Sequence, residues 1–175
     1  MMQAKNFNEI SMNGRMAYLI LCVERYVKTK YPDKDWSVLS QWMWDSTSEY
    51  WDEWDSKFME IIPEFLFEFD SYEESDFECI SEDEYNYFSS LYDGLSDEFN
   101  SLLLKLHELQ QVYCYESIPG NGMDASKIAI EACSILENNN IALPELEKVA
   151  FSRFSEKKGW GNNFDGTRIS LILNQ

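Results

Sequence analysis

The chain has one histidine, His107, in 175 residues. A cluster of imidazole ligands is therefore excluded, and no Ser, Cys or Thr nucleophile sits in a recognisable triad motif. On the leucine-rich stretch that carries it, a lone histidine reads as surface or core filler rather than as a catalyst. The four cysteines, Cys22, Cys79, Cys114 and Cys133, are scattered without a CxxC pair, so neither a zinc site nor a dithiol redox motif is indicated. They read as reduced, mostly buried thiols. No apolar run approaches the roughly 18 to 20 residues needed to cross a bilayer, and residues 1–13 lack the basic start and apolar stretch of a signal peptide. A cytoplasmic protein without membrane contact is expected. No DxDxDG calcium loop is present. The GWG at 159–161 shares two glycines with a phosphate-binding GxGxxG, but position 164 is Phe and no strand-to-helix context surrounds it. No cofactor is expected.

Positive charge is also scarce, and its scarcity is local. The formal net charge is -18, from 32 acidic and 14 basic residues. Residues 45–98 hold 19 of the acids and a single cation, Lys57, which leaves 13 of each sign elsewhere. One third of an otherwise neutral chain thus carries the whole imbalance. Such a field repels nucleic acid and anionic membranes and attracts a basic partner. It does not belong to a disordered acidic tail, because 45% of the residues are hydrophobic and 15% aromatic, enough apolar surface to offset chain entropy. The length suits one domain.

The elements read as mainly α: a single-domain helical bundle of about five to seven helices. Ser11 or Asn13 caps a first helix over 15–30, with Ala17, Ile20, Leu21, Glu24 and Val27 at helical spacing, and Tyr31-Pro32 ends it. Asp33 or Asp35 begins a second helix that runs to about Ile62. Residues 63–80 fit either state, since Phe67 and Phe69 alternate with acids like a strand while Pro63 suits a first helical turn. Ser81 and Glu84 form a capping box before a helix carrying Tyr85, Phe88 and Tyr92. A further helix bears the stripe Leu102, Leu103, Leu106, Leu109 and Tyr113. Ile128, Ala132, Ile135 and Leu136 mark another, ending at Asn138. TRISLIL at 167–173 leans toward β and could form a small C-terminal element with 149–154.

The segment WMWDSTSEYWDEWDSKFMEI, residues 42–61, mixes four tryptophans with six carboxylates. On one continuous helix at about 100° per residue, Trp44, Trp51, Trp54, Phe58 and Ile62 share a face. Asp45, Glu49, Asp52, Glu53 and Glu60 fall on the opposite one, with Asp55 on its flank. The aromatic face is a core argument. The acidic face opposes helix stability, because like charges at i,i+4 cost a few tenths of a kcal/mol each; by itself it fits a solvated face that confers solubility as well as a binding face, and the continuation of acid through Glu98 favours binding. Trp42 falls inside the acidic arc, which fits either a helix start that packs differently or an exposed aromatic anchor; Tyr50, at the border of the two faces, is a weaker candidate of the second kind.

The candidate binding residues are therefore Trp42, Asp45, Glu49, Asp52, Glu53, Glu60, Asp70, Glu73, Glu74, Asp76, Glu82 and Asp83. Catalytic carboxylates are usually few and set in a concave pocket, whereas these come in runs such as Asp52-Glu53 and Glu82-Asp83-Glu84. A non-catalytic inhibitor is the leading expectation. The alternatives are an acidic mimic of nucleic acid that occupies a host DNA- or RNA-binding protein, and a carboxylate-based hydrolase that uses two of the clustered carboxylates, with or without magnesium.

The helical start NGRMAYLILCVERYV (13–27), the tryptophan- and acid-rich middle, and the late FSRFSEKKGWGNNFDG (151–166) together resemble bacterial immunity proteins of polymorphic and contact-dependent toxin systems, in particular the sixth numbered immunity family. The resemblance implies a small cytosolic antidote encoded beside a toxin. The antidote blocks the toxin's C-terminal domain, often a nuclease, and the acidic field predicts that this domain is basic. Excess negative charge favours a monomer that forms a heterodimer with it, whereas an exposed aromatic patch would make a dimer. Gly14-Arg15 and Gly159-Trp160-Gly161 are the family-like positions expected to hold the fold.

Overall fold

The computed structural model describes residues 2–48, 51–114 and 116–174; within them the Asp52 side chain lies outside the description. Seven α-helices are present among these residues: α1 Met12–Lys30, α2 Ser37–Asp45, α3 Trp51–Glu60, α4 Pro63–Leu66, α5 Glu82–Tyr92, α6 Asp97–Gln111 and α7 Met123–Asn138. Five short 3-10 turns complete the helical elements. No strand forms among the described residues, and the sole β-type pairing is an isolated bridge between Ile10 and Arg153.

Helix α1 is the axis of the bundle. Every residue from Met12 to Glu24 is buried, as expected for a helix that is apolar nearly all round. It packs on α6, α7 and α2, and α6 packs on α7 and α3. Ser11 caps α1 by accepting a hydrogen bond from the Gly14 amide (3.1 Å). Leu102, Leu103, Leu106 and Leu109 of α6 are buried, as are Tyr113 in the turn after it and Trp44, Trp54, Phe58 and Ile62.

Two buried charges hold the bundle to its connecting segments. The Arg15 guanidinium donates to the carbonyls of Phe7, Ile10, Asn121 and Gly122 at 2.5 to 3.0 Å. Burial lowers its pKa to about 10, because its partners are carbonyl dipoles. Glu24, fully buried, accepts from Trp44 Nε1 (2.8 Å), Ser170 Oγ (2.5 Å), the Leu171 amide (2.6 Å) and Ser40 Oγ. Gly161, at φ 80°, passes so close to Ser11 that a Cβ would lie 2.2 Å from its Oγ. The Gly14-Arg15 and Gly159-Gly161 positions thus do structural work at α1's entry.

Two expectations need correction. The single helix from about residue 35 to 62 is broken. Ser46 and Thr47 turn their hydroxyls back on the carbonyls of Met43 and Trp44 (2.7 and 2.8 Å). The Thr47 carbonyl then accepts from the Phe164 amide and its Oγ1 from the Gly166 amide. Side-chain bonds of this kind compete with the helical ladder. The C-terminal β element is also absent: Gly166–Ile169 is a 3-10 turn, and the amides of Leu171, Ile172 and Leu173 bond to Glu24 and Ser170 Oγ instead of a neighbouring strand.

Candidate functional site

The break after Asp45 means that the acids and aromatics of 42–61 do not share one helical wheel. Trp42 belongs to α2 and turns inward, half-buried. Its ring meets Phe88 edge-on at 5.1 Å, and its carbonyl accepts from Trp54 Nε1 (2.6 Å). Lys57 Nζ sits 3.9 Å from its ring centroid and 3.9 Å from Glu84 Oε1. Trp42 is therefore a cradle for the one lysine of the acidic segment, not an aromatic projecting from an acidic arc.

Glu60 is the second departure. It is 8% exposed, and its carboxylate accepts the amides of Glu78 (2.8 Å), Cys79 (2.9 Å) and Ile80 (2.9 Å). A carboxylate facing three consecutive N–H groups is a backbone clamp, each charge-assisted bond contributing about 1.5–3 kcal/mol net. Asp55 likewise turns inward, 5% exposed, and accepts from Gln111 Nε2 (2.9 Å) and from His107 Nδ1 (2.8 Å). His107 is no filler: the hydrogen bond to Asp55 raises its pKa against the opposing effect of burial, and the pair fastens α3 to α6.

The remaining candidates stay at the surface. Asp45 is half-buried at the end of α2, accepting from Gln41 Nε2 (2.7 Å), and borders a small cavity of about 70 Å3 with Glu53 and Lys57. Glu53 is exposed on α3. Asp70, Glu73, Glu74 and Asp76 are exposed on the loop 67–80, and Glu82 and Asp83 are exposed in the first turn of α5, where the helix dipole favours negative charge. Glu49 and Tyr50 lie outside the described residues, and Asp52 falls in α3 with its side chain outside them.

The loop 67–80 is neither strand nor extended helix. After the single turn of α4 it contains the 3-10 turn Tyr72–Glu74. Its far end is fastened by Glu60 and by Tyr72, whose hydroxyl donates to the Ile80 carbonyl (3.0 Å). Ser75 Oγ donates to the Tyr72 carbonyl (2.6 Å), and the rings of Tyr72, Phe77 and Tyr85 pack within about 6 Å of one another. The capping box of Ser81 and Glu84 then opens α5. An acid-bearing loop is thus held on a rigid support, and α3, the loop and the start of α5 are linked through Glu60 and the Lys57–Glu84 pair.

Sequence reasoning missed two residues here. Phe67 and Phe69 are 49% and 37% exposed, and Phe69 borders a groove of about 320 Å3 with Met59, Phe65, Glu68, Asp76 and Phe77. The signal was the run FLFEFD, which offers more phenylalanine than one helical face can bury.

Chemically this surface offers fixed negative charge and aromatic area. Among the described residues no three His, Cys, Asp or Glu side chains converge as metal ligands. None of the four cysteines forms a disulfide; Cys22 and Cys133 are buried, Cys114 is half-buried and Cys79 is exposed. The Cys79 thiol pKa is raised, by desolvation first and then by Glu60 and Glu78, which opposes thiolate formation. No helix among the described residues is long and apolar enough to cross a membrane. Comparison with protein-family models, with curated proteins and with solved structures found no match to this chain.

Proposed function

We propose that the chain is an immunity protein, a non-catalytic cytoplasmic inhibitor that binds and neutralises the basic C-terminal domain of a cognate toxin, a nuclease, through its acidic surface. The observation that carries the reading is the set of exposed carboxylates without a cation of their own. Among the described residues Glu53, Asp70, Glu73, Glu74, Asp76, Glu82 and Asp83 are exposed and form no ion pair. Unrelieved repulsion of this kind lowers the stability of the chain alone and is relieved when a cationic surface covers it. A nuclease cleft supplies that surface, because it lines itself with Lys and Arg to hold phosphates. The resemblance of residues 13–27 and 151–166 to immunity proteins supplies the biological setting.

The test is rescue from the toxin domain encoded beside this chain. Glu53, Asp70, Glu73 and Glu74 are all exposed, so changing the four to lysine leaves the core intact. The variant is expected to lose protection and to associate with the toxin domain about tenfold or more slowly at low salt. Protection and association rate equal to those of the parent chain would show that a different surface binds.

A further inference from the structure

The geometry points to an arginine side chain of the protein partner as the occupant of the groove between the end of α3, α4 and the loop 67–80, stacked on Phe69 and bonded to Glu68 and Asp76. This rests on the proposed acidic docking surface and names the residue type that it receives.

The groove, about 320 Å3, is walled by Met59, Phe65, Phe69 and Phe77, with carboxylates from Glu60, Glu68 and Asp76. Glu60 is already committed to three backbone amides, which leaves Glu68 and Asp76, both exposed. Among the described residues no Lys or Arg pairs with either. The one lysine of the acidic segment is held on Trp42 and Glu84. The groove therefore combines aromatic walls with unmatched negative charge, and its occupant must be apolar along its length and cationic at its tip.

Arginine meets both demands. Its methylene stem lies along apolar walls, its guanidinium plane stacks on an aromatic face, and its fork matches a carboxylate in two places. Lysine supplies the charge without the plane. A purely apolar side chain would leave Glu68 and Asp76 desolvated beside it without a partner, and a phosphate group is repelled. The volume lies at the small end of ligand pockets and suits one long side chain rather than a helix. The loop is already fastened by Glu60, Tyr72 and Ser75, so little ordering is required when the groove is filled.

The test is NMR titration of the isotope-labelled chain with tetra-arginine and tetra-lysine peptides at low salt. Tetra-arginine is expected to bind about three- to fivefold tighter than tetra-lysine and to shift the ring signals of Phe65, Phe69 and Phe77 selectively. The exposed variant Phe69→Ala should abolish that preference while leaving the amide signals of residues 78–80 in place. Glu68→Gln, a second variant, should weaken tetra-arginine at the groove, whereas Glu82→Gln should not. Equal binding of the two peptides, with shifts spread over the carboxylates and none centred on the groove, would overturn the arginine site and leave the acidic docking surface standing. Peptide shifts confined to other faces of the molecule would overturn both.

Discussion

Glu60→Gln keeps the shape of the clamp and changes its bonding. In the parent chain Oε2 accepts the amides of Cys79 and Ile80, and Oε1 accepts that of Glu78. A glutamine has one acceptor oxygen and an NH2 group that cannot accept. Either orientation sets the NH2 against at least one backbone N–H, and the remaining bonds lose charge assistance. A bond to a charged group contributes about 1.5–3 kcal/mol net against about 1 for a neutral one. Glu78 and Cys79 are exposed enough for water to replace part of the loss, whereas Ile80 is buried, so the total is expected to be about 2 kcal/mol. Urea denaturation and amide exchange measure it together. If the loop unfolds with the bundle, the variant loses that stability globally. If the loop opens alone, the exchange of residues 78–80 accelerates by about thirtyfold while the midpoint stays in place. A midpoint unchanged and an exchange rate within twofold of the parent would refute the clamp.

Further outcomes follow from the same contacts. Because the Asp55 hydrogen bond raises the His107 pKa above its unfolded value, the pair's contribution is full below about pH 6.5 and is lost as pH rises through the folded pKa. Denaturation at pH 6 and pH 8 should show a stability difference in the parent that shrinks in His107→Gln; an identical pH dependence in both would exclude the pair as its source. Gly161→Ala meets both a positive φ and Ser11, and should lower stability by about 2–4 kcal/mol. Gly94→Ala, at φ 74° with open space around it, should cost about 1 kcal/mol, and thermal melts that rank the two glycines the other way would contradict the packing. Ser81→Ala removes one partner of the capping box and should cost about 1 kcal/mol, read as a lower urea midpoint.

Much of this architecture is legible where one short-range rule decides the outcome. Ser11, the Tyr31-Pro32 stop, the Ser81 and Glu84 box and the α6 leucines each act within a turn or two, and each behaves as local chemistry predicts. The errors arise where distant residues decide. Ser46, Thr47 and Ser48 do signal a break, but two tryptophan-rich stretches suggest continuity, and the partners that complete the turn, Phe164 and Gly166, lie more than a hundred positions away. Beyond that break every angle rotates, so Glu53, Asp55 and Glu60 no longer share one wheel with Trp42. A helical wheel sets Glu60 and Asp55 among or beside the outer charges because it places carboxylates by direction, not by what they accept. Three amides of an irregular loop, and one imidazole from another helix, cannot be found from spacing. For the same reason the alternation of Phe67 and Phe69 with acids does not reveal that the loop leaves both rings exposed.

The bonds of α1's two charges also impose an order on synthesis. Arg15 is satisfied by carbonyls 106 and 107 residues downstream, and Glu24 by groups 146 and 147 residues downstream. When the ribosome has made the central helix, both charges still lack these partners, and burying either of them then is costly. The axis of the bundle must wait for segments translated much later, so an N-terminal fragment released early has a hydrated helix and no native core. Residues 170 and 171 must therefore be made before Glu24 gains its last partners and the native core can close around it.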